Sequence, residues 1–141
     1  MAKADPALDL LAQVPLFSGL TRKELQMVKD LSKPFRFPAG ATVVTAGEQA
    51  SRFFLVTAGE AHVVIGGRNR RPLGPGDYFG ELALIDEGPR TATVVADTDL
   101  ETLGIAGFNF RPLLKNEAPI TFKILVEVAR WLRESEAAQR V

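Results

Sequence analysis

The chain has 141 residues, 46% of them apolar, a length and composition that suit one domain with one core. Lys and Arg number 17, as do Asp and Glu, so the formal net charge is zero and nothing steers the whole molecule toward nucleic acid or an anionic membrane. The absence of cysteine and the single histidine exclude disulfides, thiolate metal sites, cysteine nucleophiles and multi-histidine metal centres.

From the N-terminus, residues 7–33 read as helical. Met1 to Asp9 mixes two acids, a lysine and a proline, which does not suit a signal peptide. A short helix is expected around Pro6 to Gln13, then a turn from Val14 to Leu20 punctuated by Pro15 and Gly19. Thr21 and Glu24 have the spacing of a capping box, with Leu20 and Leu25 at the staple positions. Leu25, Val28 and Leu31 continue an apolar stripe, and Pro34 is expected to end the helix.

Residues 35–107 change character. Short β-favouring runs occur at 41–45, 53–57, 61–65, 91–96 and 100–105, separated by turn glycines. Gly66-Gly67 suits the positive φ of a tight hairpin. No helical crossover lies between the runs, so an antiparallel sandwich or roll is expected, not a doubly wound sheet.

Residues 109–138 read as helical again, with Pro119 in a first turn. Lys123, Glu127, Arg130 and Glu134 form one polar stripe, and almost everything else in this helix is apolar. The apolar arc is wider than one packing face needs. Two coverings fit it: the domain's own roll and N-terminal helix, or a second copy or effector protein. No run approaches the ~18 apolar residues of a membrane span. One domain over 7–138 is expected, in the cytoplasm and with no separate effector domain, since the chain ends soon after this helix.

The functional signal lies in Phe79 to Thr93. Gly80-Glu81-Leu82-Ala83 reads as a short helical turn after a strand, where unpaired amides favour an anion. Arg90 follows a Gly-Pro turn and can bring a planar, charged fork to the same anion. Glu81 is a poor phosphate ligand but a good acceptor for a hydroxyl on the same molecule. A phosphate joined to a ribose meets both demands. A plain salt bridge, Arg90 with Glu81 or with Glu87, fits the same residues.

This segment resembles the phosphate-binding cassette of the cyclic-nucleotide-binding domain family, which includes bacterial catabolite regulators and eukaryotic kinase regulatory subunits. The likeness extends over roughly residues 10–135, through Phe37-Pro38-Ala39-Gly40, Gly47-Glu48, Gly59 and Leu73-Gly74-Pro75-Gly76-Asp77. It implies a mainly β fold with flanking helices: an antiparallel β-roll of the jelly-roll type with N-terminal and C-terminal helices. It also implies a ligand, cAMP with a slight preference or cGMP, and no cofactor. Arg90 would pair with the cyclic phosphate and Glu81 with the ribose 2′-hydroxyl. The Gly80 turn would present the backbone amides of Leu82 and Ala83 to the phosphate. Thr91 would sit beside phosphate and base, and Val63 would line the base pocket. The strand leading into Leu73, Asn69-Arg70-Arg71-Pro72, has no apolar alternation and lacks the aliphatic residue that many relatives place against the base.

Other residues carry weaker signals. His62, on the opposite face to Val63, reads as structural. Arg68, Arg70 and Arg71 suit a solvated hairpin tip or a contact with an acidic partner. Trp131 suits the core or a lid over a bound base. Ser18, Ser32 and Ser51 lie in no nucleophile elbow. The chain therefore reads as a binding module, neither an enzyme, a metal protein nor a nucleic-acid binder. A structural or protein-interaction roll without nucleotide affinity is the competing reading.

Overall fold

The computed structural model describes residues 5–139. They fall into two compact units: the chain up to Asp30 together with the chain from Pro112 onward, and residues 31–111. The first unit is helical. Helix α1, Pro6–Ala12, starts where the Asp5 side chain accepts the Leu8 N–H at 3.2 Å. A 3-10 turn, Pro15–Phe17, leads into α2, Arg22–Lys29. The capping box forms: Glu24 N–H donates to Thr21 Oγ1 at 3.2 Å, and Thr21 N–H donates to Glu24 Oε1 at 2.8 Å.

Two expectations about the helices need correction. Helix α2 stops at Lys29, and Lys33 and Pro34 belong to a strand. Proline is tolerated there because the strand is at a sheet edge. The terminal helical zone is two helices, α3 Gly107–Asn116 and α4 Ala118–Gln139. Pro119 lies in the first turn of α4, as expected.

The polar stripe of α4 turns toward the N-terminal segment. Lys123 Nζ lies 2.6 Å from Glu24 Oε1, and Arg130 pairs with Glu127 at 2.9 Å. Glu127 and Trp131 help line a groove of 410 Å³ whose other wall is Gln13, Pro15, Leu16 and Ser18. Ile120 and Ile124 are buried, whereas Phe122, Leu125, Val126 and Leu132 are exposed. The apolar arc is thus left partly bare.

The second unit holds strands β1 Lys33–Phe37, β2 Thr42–Val44, β3 Arg52–Ala58, β4 Ala61–Ile65, β5 Arg68–Leu73, β6 Tyr78–Phe79, β7 Thr93–Ala96 and β8 Leu100–Ala106. They pair antiparallel in two four-stranded sheets, ordered β1-β8-β3-β6 and β2-β7-β4-β5. This is the expected β-roll. Strands β1 and β6 were not expected, and β7 starts at Thr93, not Thr91. Gly66 and Gly67, at φ 61° and 76°, make the β4–β5 hairpin.

Val56, Ala61, Val63, Leu73, Val94, Ala96 and Leu100 are buried as one cluster. Phe53 and Phe54 are both buried. The Phe54 ring stacks on Phe79 at 5.3 Å and meets Phe35 and Phe37 edge-on at 5.8 and 6.0 Å. Such pairs contribute roughly 0.5–1.5 kcal/mol each beyond area burial. Gly104 makes room for them: a Cβ there would stand 2.6 Å from the Phe35 ring.

Candidate functional site

Strand β6 ends at Phe79, and the chain turns at Gly80 into the short 3-10 helix Glu81–Leu84. Gly80 has φ 79°, a conformation L side chains rarely adopt. It also lacks room for one. A Cβ would stand 2.3 Å from Arg90 Nη1 and 2.6 Å from the Arg52 carbonyl oxygen. Glycine is therefore what allows the Arg90 guanidinium to lie against the start of the turn.

Arg90 is held from several sides. Its N–H donates to the Glu48 carbonyl at 2.7 Å, and its carbonyl accepts the Gly47 N–H at 2.9 Å. Nη2 donates to the Arg52 carbonyl at 2.8 Å. Beside it, Ala50 N–H donates to the Gly88 carbonyl, and Gln49 bridges Pro89. The β2–β3 loop thus pins the Arg90 backbone while the start of β3 aims its fork. Arg90 is half-buried, and among the described residues it forms no ion pair. Burial lowers its pKa, and the nearby Glu81 charge acts the other way.

That arrangement disposes of the plain salt bridge to Glu87. Glu87 accepts from Arg111 at 3.0 Å and from Gln49 at 2.8 Å. Glu81 stands close enough to raise the pKa of Tyr78 as well, adding to the larger effect of burial on that phenol. Arg71 pulls the same phenol the other way. Glu81 thus lies within electrostatic reach of both the Arg90 fork and the Tyr78 phenol, and among the described residues it pairs with neither.

The remaining expected residues occupy distinct places. Ala83 is buried, and its N–H donates to the Gly80 carbonyl at 3.0 Å, closing the turn. Among the described residues the Leu82 N–H has no acceptor, and the Leu82 side chain is exposed. Of the two expected amides, Leu82 is thus the free donor. Thr91 is exposed in the approach to β7. Val63 is buried on β4, in the apolar cluster. Phe79 and Ala92, next to the two ends of the Gly80–Thr91 segment, pack against that same cluster. The fold therefore anchors the charged turn beside the apolar surface that contains Val63.

Sequence reasoning missed the parts that hold Arg90 in place. The Arg52 and Glu48 carbonyls carry no residue-type signal, and only the Gly47-Glu48 turn hinted at the loop. The Glu87–Arg111 pair was missed because its partners are distant in the chain. Trp131 lies in the groove beside Pro15 and Leu16, within the helical unit. His62 Nδ1 lies 2.6 Å from Asp97 Oδ1, in keeping with a structural role. Among the described residues no group of three or more metal-ligating side chains occurs, and no helix is long and apolar enough to cross a membrane.

Comparison with known proteins places this geometry in context. A profile described as "Cyclic nucleotide-binding domain" matches residues 34–117. A cAMP-dependent protein kinase regulatory subunit of Aspergillus niger is 37% identical over 110 residues, covering 74% of this chain and 26% of that protein. The cyclic AMP receptor protein of Thermus thermophilus is 31% identical over 86% of this chain and 59% of its own length. The crystal structure of the N-terminal domain of a transcriptional regulator from Streptomyces coelicolor superposes with a TM-score of 0.87. It is 28% identical and covers 94% of this chain and 96% of that one. The chain spans about a quarter of the length of the fungal relatives it matches.

Proposed function

The chain belongs to the cyclic nucleotide-binding domain family, and we propose that it binds a cyclic nucleoside monophosphate, cAMP or cGMP, as a non-catalytic sensor. The observation that carries this is Arg90. Its guanidinium is half-buried, aimed by the Arg52 carbonyl, and free of any ion pair among the described residues. A buried cation is costly unless paired, and a cyclic phosphate offers two exocyclic oxygens to a planar fork. Leu82 N–H adds a neutral donor to the same anion. Glu81 accepts from the ribose 2′-hydroxyl, and Val63 and its neighbours take the apolar face of the base. Thr91 stands where phosphate and base meet. Cyclic AMP is named for the fungal and Thermus relatives, which gives it a slight lead.

A sensor needs an output. The exposed face of α4, with Phe122, Leu125 and Leu132, is the surface we assign to it. Its occupant is a second copy or an effector protein, and ligand shifts the balance between packings that bind it differently. Calorimetric titration of the chain with cAMP and cGMP tests the binding, with melting temperature as a second readout. A ligand of the native state raises the melting temperature by mass action. No heat and no shift with either nucleotide at millimolar concentration would leave the fold as a structural or interaction roll.

A further inference from the structure

Helix α4 has one face that begins buried and ends open. Ile120, Ile124, Glu127, Trp131 and Glu134 follow at spacings of four, three, four and three, so they lie along one side of the helix. Ile120 and Ile124 are buried. Further along the same side, Glu127, Trp131 and Glu134 form one wall of the 410 Å³ groove, and residues from Gln13 to Ser18 form the other. Both walls belong to the helical unit. The bare residues Phe122, Leu125 and Leu132 are on the opposite side of α4. The charges in the groove are unbalanced. The N-terminal wall brings no ionisable side chain, whereas α4 brings two carboxylates and one guanidinium. Arg130 Nη1 reaches both Glu127 oxygens, at 2.9 and 3.2 Å. That pair is lopsided, since the Glu127 side chain is 13% exposed and that of Arg130 61%. A sheltered carboxylate is thus held by a cation that stays mostly in water, through a contact of the kind that contributes little. Glu134 forms no ion pair among the described residues.

We infer that this groove seats an arginine side chain of a partner polypeptide, stacked on Trp131 and bonded to Glu127 and Glu134. A guanidinium is planar and weakly hydrated, stacks on an aromatic face and forks onto a carboxylate. The groove supplies one indole and two carboxylates on a single helix face. An anion would meet both carboxylates unfavourably. A neutral apolar group would cover them without a cation, which is costly. The volume is at the small end of ligand pockets, about 300–1,000 Å³, so it takes one long side chain with its neighbours and not a folded surface. Pro15 and Leu16 give the methylene stem an apolar floor. The Gln13 carboxamide bonds no other group among the described residues and is free for the partner's backbone, which favours a polypeptide over a free guanidine. Arg130 is the internal competitor: an incoming guanidinium takes over Glu127 while Arg130 turns into water.

Trp131 is the only tryptophan in the chain, so its fluorescence reports on the groove directly. The test titrates the full chain, without nucleotide, with a capped peptide Ala-Leu-Arg-Leu-Ala. The same peptide with citrulline at its centre supplies the uncharged isostere, and arginine amide supplies the side chain without a polypeptide. The arginine peptide should change the fluorescence saturably and bind about 3- to 10-fold more tightly than the citrulline peptide. Glu134→Gln, at an exposed position, should weaken that peptide by about 2- to 5-fold. Arg130→Gln should tighten it by about 2-fold, because the competitor is gone. Melting curves verify that both variants fold. Equal affinity for the citrulline peptide would overturn the assignment, as would unchanged or weaker binding in Arg130→Gln. No saturable change up to ~10 mM would do the same. Arginine amide binding as tightly as the peptide would overturn the polypeptide partner and leave a small-molecule site. The inference is independent of the cyclic-nucleotide reading, since none of these outcomes involves Arg90.

Discussion

Replacing Gly80 by alanine tests how the site is built, because two costs converge on one atom group. The first is conformational. Gly80 has φ 79°, and placing an L-residue there costs roughly 1–2 kcal/mol. The second is contact. The new Cβ would meet Arg90 Nη1 at 2.3 Å and the Arg52 carbonyl oxygen at 2.6 Å. A side-chain end can swing away cheaply, but a strand carbonyl cannot. Either response breaks the 2.8 Å bond from Arg90 to Arg52. A hydrogen bond to a charged group contributes about 1.5–3 kcal/mol, so the total loss is about 2–4 kcal/mol, the contact part reduced where the site is open to water. The matched control is Gly40→Ala. Gly40 has φ 85°, but nothing lies within 4 Å of the position its Cβ would take, so only the conformational cost applies. Urea unfolding of both variants measures the difference, and titration with cyclic nucleotide measures the loss of a correctly aimed Arg90. Gly80→Ala should be the less stable by about 1 kcal/mol or more and the weaker binder. Equal stability of the two variants, with wild-type affinity in Gly80→Ala, would show that the Arg52–Arg90 contact does not organise the site.

Other expectations follow from the same geometry. Arg90→Ala should weaken cyclic-nucleotide binding by about 30-fold to several thousand-fold, the cost of truncating a buried charge partner; Arg90→Lys should lose less, and affinity within threefold of wild type in a folded Arg90→Ala would remove the main support for the function. Glu81→Ala should abolish the preference for cAMP over its 2′-deoxy analogue, and an unchanged ratio by calorimetry would reassign that carboxylate. The Lys123 ammonium beside Glu24, helped by the Thr21 N–H, holds the Glu24 carboxyl below its ordinary range. The stabilisation is complete above the unfolded value of about pH 4.3 and is lost as pH falls through the lower folded value. Lys123→Met should therefore be less stable than wild type at pH 7, with the gap closing in urea titrations at pH 2–3. A gap of constant size would assign the loss to packing.

Local chemistry makes much of the fold legible in the sequence. Thr21 and Glu24 announce the start of α2 because a capping box needs only neighbours in the chain. Strand β4 is found at its full length, Ala61–Ile65, because alternating burial is written in residue type, and Gly66-Gly67 marks its turn. The Gly80–Thr91 segment stands out in the sequence as a candidate anion site for a similar reason: donors, fork and acceptor lie within one short stretch. The tertiary structure decided what depends on pairing at a distance. Strand β1 carries Pro34 and strand β5 reads Arg68-Asn69-Arg70-Arg71-Pro72, so neither shows a strand pattern of its own. They become strands because β8 and β4 offer them backbone partners at sheet edges, where proline and charge are tolerated. The direction of the α4 stripe was equally hidden, since a helix's periodicity shows two faces but not which one meets Glu24 and Pro15. The aim of Arg90 also came only with the fold, because the acceptor that sets it is the carbonyl of Arg52, 38 residues away in the chain. Every residue carries that group, so no side chain in the sequence could mark it.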